Sequence, residues 1–105
     1  MSVYVLIESR VKDREKYKVY IAAFSDIIAK CGGRYLVRGG RIKPLVPEME
    51  MERRQPERIN IVEFPSEADQ RRCFASPGYR AIVALRQAAA DTRALLLEGY
   101  VPENH

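Results

Sequence analysis

Apolar and polar positions divide the chain into a short series of elements. Val3, Val5 and Ile7 alternate with Tyr4, Leu6 and Glu8, the period-two pattern of a strand. Both sets are largely apolar, so both faces of this strand are expected to be covered. Asp13 then stands as a helix N-cap. Behind it, Tyr17, Tyr20, Ile21, Phe24, Ile27, Ile28 and Cys31 recur at helical spacing as one broad apolar stripe. Gly32 and Gly33 end that helix, because glycine takes the left-handed cap conformation readily.

A second strand is predicted over Arg34 to Arg38, with Tyr35 and Val37 on one face and Arg34, Leu36 and Arg38 on the other. Gly39-Gly40 marks a turn or bulge. Arg41 to Glu57 carries Pro44, Pro47 and Pro56 among many charges and reads as an irregular loop or a short hairpin arm. A third strand is predicted from Arg58 to Phe64, with Ile59, Ile61 and Glu63 opposite Asn60, Val62 and Phe64. Pro65 ends it. Ser66 and Asp69 form a capping box one methylene short, opening a helix from Glu67 to about Ala75. Ser76-Pro77 restarts the helix, which is expected to run to about Thr92. A fourth strand is predicted from Ala94 to Val101, and residues 102–105 form a tail.

The order β-α-β-β-α-β places two crossover units in one α+β domain. The expected fold is ferredoxin-like: a four-stranded antiparallel sheet with both helices on one face. That leaves an apolar sheet face open. A symmetric homodimer packed through that face is the economical way to cover it.

Composition narrows the function classes. The chain has 105 residues, within the range of one domain, with 47% hydrophobic and 30% charged residues. No apolar run is long enough to span a membrane, and the N-terminus enters a strand without a signal-like segment. A cytoplasmic location without membrane contact is expected. The net charge is +4. Its basic residues crowd between Arg34 and Arg58, but glutamates are interspersed there, which argues against a nucleic-acid groove. Cys31 and Cys73 stand far apart in sequence, without a CxxC spacing, and read as buried free thiols. The one histidine is His105, so neither a cysteine nor a serine nucleophile has an evident base, and no zinc site is expected. Ser66 and Ser76 read as helix caps. No dinucleotide fingerprint, P-loop or metal cluster is present, so no cofactor is expected.

Several segments taken together carry a resemblance: Gly32-Gly33-Arg34-Tyr35-Leu36-Val37-Arg38-Gly39-Gly40, Glu63-Phe64-Pro65-Ser66, Ser76-Pro77-Gly78-Tyr79, Leu85-Arg86 before an alanine run, and Glu98-Gly99. From about Tyr4 to Gly99 the chain resembles the family called domain of unknown function 1330. The resemblance implies the dimeric α+β-barrel superfamily, which includes small monooxygenases, muconolactone isomerases and members with no shown activity. Two departures stand out. Residues 42–56 are longer and more charged than the family's connection, and Cys73-Phe74 stands where an aromatic pair is common.

Four groups of residues could carry chemistry. Glu63 ends a strand whose same-face neighbours are Ile59 and Ile61. An apolar setting would raise its pKa and suit it to acid–base catalysis, unless it pairs with Arg38 or Arg86. Arg38, next to Gly39 and Gly40, could hold a substrate carboxylate or could cap the turn. Arg86 could snorkel from an apolar helix or turn inward to an anion. Among the tyrosines, Tyr20 is the foremost candidate to line a pocket, ahead of Tyr17, Tyr35 and Tyr79; packing is the alternative for each. Two functions follow. One is a cofactor-free enzyme acting on a small organic acid or an aromatic or carbonyl metabolite, with Glu63 as acid/base. The other is a non-catalytic metabolite-binding or regulatory module in which Glu63–arginine pairing is structural.

Overall fold

The computed structural model describes residues 1–45 and 56–102. Its elements are β1 (Val3–Val11), α1 (Arg14–Lys30), β2 (Arg34–Arg38), β3 (Arg58–Phe64), α2 (Glu67–Ala75), α3 (Pro77–Ala81), α4 (Val83–Ala89) and β4 (Ala90–Glu98). The strands form one antiparallel sheet in the order β2-β3-β1-β4. This is the ferredoxin-like α+β arrangement expected from the element order. The possible hairpin arm falls largely on residues 46–55, and most of the tail on 103–105, outside the described residues; residues 41–45 carry no regular element.

Strand alternation decides which side chains make the core. Val3, Val5, Ile7, Val62 and Phe64 are buried beneath Tyr17, Tyr20, Phe24 and Ile28 of α1, with Cys73, Tyr79 and Ala89 from the later helices. Helix starts follow the capping chemistry. The Asp13 carboxylate accepts the Lys16 N–H at 3.1 Å. Ser66 Oγ accepts the Asp69 N–H at 3.1 Å and donates to Asp69 Oδ2 at 2.8 Å, so serine caps the helix and the aspartate carboxylate accepts from its hydroxyl and not from the backbone. Ser76 Oγ accepts the Tyr79 N–H at 3.2 Å with Pro77 in the first turn.

The two glycines after α1 act differently. Gly32 has φ of +81°, the left-handed conformation that stops the helix. Gly33 permits close packing: a Cβ there would lie 2.9 Å from Phe64 Cε1 and 3.0 Å from Ile28 Cγ2.

Three expectations about the elements need correction. The last helical stretch does not run unbroken to Thr92. It breaks at Ile82 and ends at Ala89, whose carbonyl accepts the Lys12 and Asp13 N–H groups at 2.8 and 3.1 Å. β4 accordingly begins at Ala90, four residues before the expected Ala94, and ends at Glu98. β1 continues beyond Glu8, so that Val11 pairs with Ala90 and Ser9 with Thr92. Finally, β2 does not alternate regularly. Tyr35 pairs with Val62 but Val37 pairs with Ile61, which makes Leu36 the extra residue of a bulge. Tyr35 and Arg38 therefore share the helix-covered face with Val62 and Asn60, while Arg34 and Val37 share the open face with Glu63 and Ile61.

Candidate anion-binding cleft

The bulge matters because it carries Arg38 round to the helix side. There β2, β3 and α1 border a cleft of about 380 Å³ lined by Tyr17, Lys18, Ile21, Arg38, Gly39, Arg58 and Asn60. Arg58 and Asn60 follow from strand period: they occupy the same face as Val62 and Phe64, but beyond the apolar part of the core. Tyr17, Lys18 and Ile21 come from the first two turns of α1.

The polar groups of the cleft are held in place. Arg38 Cζ lies 5.4 Å from the centroid of the Tyr35 ring, and Arg58 Cζ lies 5.8 Å from that of Tyr17. Tyr35 is itself fixed by a 3.2 Å hydrogen bond between its hydroxyl and Ser25 Oγ, and burial pushes its phenol up from the ordinary value. Neither Arg38 nor Arg58 forms an ion pair among the described residues. Lys18 reaches Glu15 at 3.7 Å, an exposed contact one helical turn away.

Asn60 is the most informative member. It is only 3% exposed, on a strand face otherwise apolar toward Phe64. Its Oδ1 accepts the Gly39 N–H at 2.8 Å. That bond fixes the side-chain amide, leaving its NH₂ as a donor with no other partner among the described residues. The cleft thus presents two guanidinium groups, an ammonium and an amide NH₂, with a tyrosine beside them and no carboxylate among the described residues of its lining. A smaller depression of about 110 Å³ adjoins it and shares Tyr17, Lys18 and Arg58. There Glu57 Oε1 accepts the Val11 N–H at 3.1 Å. Net positive charge and convergent donors in a concave site suit a small anion with an apolar body against Ile21 and Tyr17.

The residues singled out from sequence fall in three separate places. Arg38 and Gly39 line this cleft. Gly40, with φ of +88°, continues the turn but does not line it. Tyr20 and Arg86 belong to a second group, under α1, α3 and α4. Arg86 Nη1 donates to Tyr79 Oη at 2.5 Å, and Tyr79 adjoins Tyr20. Burial is the main cause that holds the Tyr20 phenol far above its ordinary pKa, so it stays protonated. Arg86 accordingly turns inward to a tyrosine and does not reach Glu63.

Glu63 is in the third place, on the open sheet face, beside a depression of about 270 Å³ shared with Ser2, Gly32, Arg34 and Pro65. Its partner is Arg34, whose Nε donates to Oε1 at 2.7 Å; neither Arg38 nor Arg86 pairs with it. The expected rise in its pKa is overturned. The Arg34 hydrogen bond is the largest cause, with Ser2 and Tyr4 adding donors, and together they hold the carboxyl below its ordinary value. Lys18, Arg58 and Asn60 were not singled out from sequence as site residues. The signal was there in Arg58 and Asn60: two polar residues in alternation with Val62 and Phe64, on the face that turns inward.

The family model described as Domain of unknown function (DUF1330) matches residues 2–100. The chain belongs to this family. No curated protein matches the DUF1330 chain by sequence. Solved structures share its fold. A protein of unknown function from Rhodopseudomonas palustris, RPA0582, superimposes with a TM-score of 0.78 at 23% identity, over 96% of this chain and 84% of that one. SnoaB, a cofactor-independent oxygenase from Streptomyces nogalater, gives 0.66 at 15% identity, over 96% and 95%. A dimeric protein of unknown function with a ferredoxin-like fold from Bacteroides fragilis gives 0.56 at 16% identity, over 93% and 96%. At these identities the likeness concerns the fold. No helix among the described residues is long and apolar enough to cross a membrane, and none of those residues cluster as three or more potential metal ligands of the His, Cys, Asp or Glu type.

Proposed function

We propose that this DUF1330 protein is a homodimer that binds a small organic acid in the cleft between α1 and the β2–β3 edge. The observation that carries the reading is the convergence of Arg38, Arg58, Lys18 and the Asn60 amide on one cleft, with no carboxylate among the described residues that line it. Arg38 and Arg58 supply the fork geometry that matches a carboxylate, Asn60 adds a neutral donor from the floor, and Ile21 and Tyr17 take the apolar body. Glu63 is then a structural partner of Arg34.

The test is thermal unfolding with a panel of carboxylates, such as benzoate and succinate, against their uncharged amides. A ligand at 100 times its dissociation constant stabilises the folded chain by about 2.7 kcal/mol. In a domain of this size that is a rise of roughly 10–20 °C. The rise is expected for at least one acid and for none of the amides, and it should fall in Arg38→Gln and Arg58→Gln. Equal stabilisation of the wild type and both variants would place the anion elsewhere.

A second reading is a cofactor-free enzyme acting on a small organic acid or an aromatic or carbonyl metabolite held on the opposite side of the sheet from that cleft. The fold shared with SnoaB, a cofactor-independent oxygenase, favours it. An acid–base role for Glu63 belongs to this reading and would use the depression beside Arg34 on the open sheet face. Loss of turnover in Glu63→Gln, with carboxylate binding unchanged, would support it. Its low pKa makes Glu63 a weak base near neutrality, and for that reason we favour the binding reading.

A further inference from the structure

Cys31 and Cys73 are separated by most of β2, β3 and α2 in sequence, yet the fold brings them to the same carbonyl oxygen. The Cys31 N–H bonds to Ile27 O at 3.1 Å, and Cys73 Sγ lies 4.0 Å from that same oxygen. Cys31 caps the end of α1 and is half-buried, whereas Cys73 on α2 is 1% exposed within the core. Both are free thiols. From this juxtaposition we propose that Cys31 and Cys73 are an oxidation site, at which a hydroperoxide converts the two thiols into a disulfide joining the end of α1 to α2.

The chemistry follows from their different exposures. Cys31 is the thiol a small oxidant reaches. Its sulfur attacks one oxygen of hydrogen peroxide, the O–O bond breaks, and the displaced hydroxide leaves as water with the thiol proton. Cys31 is then a sulfenic acid. The Cys73 sulfur displaces the sulfenic hydroxyl, so an S–S bond forms as the S–O bond breaks, and the Cys73 proton leaves in a second water. Two thiols are oxidised and one peroxide is reduced to two waters. Burial, followed by the neighbouring Cys31 thiol, pushes the Cys73 thiol up to about 12. Cys73 is therefore a thiol before the reaction, which leaves the more exposed Cys31 as the group first oxidised; its place beside Cys31 makes Cys73 the resolving partner, and it gives up its proton as it attacks.

The test is intact-mass analysis of the full chain after hydrogen peroxide, with thiol alkylation under denaturing conditions. The expected product is a monomeric chain about 2 Da lighter that takes up no alkylating reagent and regains both labels after reduction. In Cys73→Ser the sulfenic acid at Cys31 should persist and be trapped by dimedone. In Cys31→Ser, the Cys73 thiol should survive the same treatment. Two alkylated thiols after oxidation, or a disulfide only between chains, would overturn the proposal. So would sulfinic or sulfonic acid at Cys31 in the wild type without the internal bridge.

Discussion

Glu63 shows how a single residue's neighbours decide its chemistry. Its side chain is only 17% exposed, and Ile61 is close by on the same strand, but Arg34, Ser2 and Tyr4 supply donors to the carboxylate. The group is held ionised. Because its pKa is lower in the folded chain than in the unfolded one, the contribution to stability is complete above the unfolded value, roughly 4.3. It is lost as pH falls through the folded value. Glu63→Gln should therefore melt below the wild type at pH 7, and the gap should close as the pH is lowered into the acid range. Melting curves across that range decide the matter; a gap independent of pH would mean that shape, and not charge, is what Glu63 contributes. Its strand-end position could be read from sequence. Its partner could not, because the identity of the facing arginine depends on the bulge at Leu36, which inverts the second half of β2 and sends Arg38 to the other face.

At the scale of elements, local chemistry explains the starts of α1, α2 and α3, where Asp13, Ser66 and Ser76 cap as their side chains allow. The boundary between α4 and β4 was not readable in the same way. Ala88, Ala89 and Ala90 favour a helix by intrinsic propensity, but pairing of Val11 with Ala90 and the N–H groups of Lys12 and Asp13 at the Ala89 carbonyl settle the junction. Those are contacts between distant parts of the chain. The Gly32-Gly33 pair offers a clean separation of the two kinds of cause. Gly33→Ala would drive a methyl group into Phe64 and Ile28, both among the most buried side chains of the core. Overpacking of this kind costs about 1–3 kcal/mol, or roughly 4–20 °C in melting temperature. Gly32→Ala meets no atom within 4 Å, and its cost comes from a φ of +81° alone, roughly 1–2 kcal/mol. Enlarging the space by Phe64→Leu should therefore offset part of the Gly33→Ala loss and none of the Gly32→Ala loss, which a double-mutant comparison of melting temperatures would read directly.

For the whole molecule the open face of the sheet is decisive. Register places Tyr4, Leu6, Ile61, Leu95, Leu97 and Val37 together on the side away from the helices. Leu95 is 46% exposed, Leu97 44% and Val37 38%. The Arg34–Glu63 and Glu8–Arg93 ion pairs stand on the same face around this apolar centre, the usual layout of an interface with a polar rim. A second copy of the chain meets the requirement with the same surface on both sides. The solution mass is accordingly expected near twice 12.0 kDa, and Leu95→Glu, which sets like charges at the centre of the contact, should shift it to the monomer. The anion cleft lies on the helix side, on the other side of the sheet from that face. The monomeric variant should thus keep the carboxylate-induced rise in melting temperature, whereas Arg38→Gln should lose it and stay dimeric. If Leu95→Glu remained dimeric, the sheet face would not be the interface. If it became monomeric and lost anion binding as well, the cleft would depend on the second copy, and the site would have to be sought across the dimer.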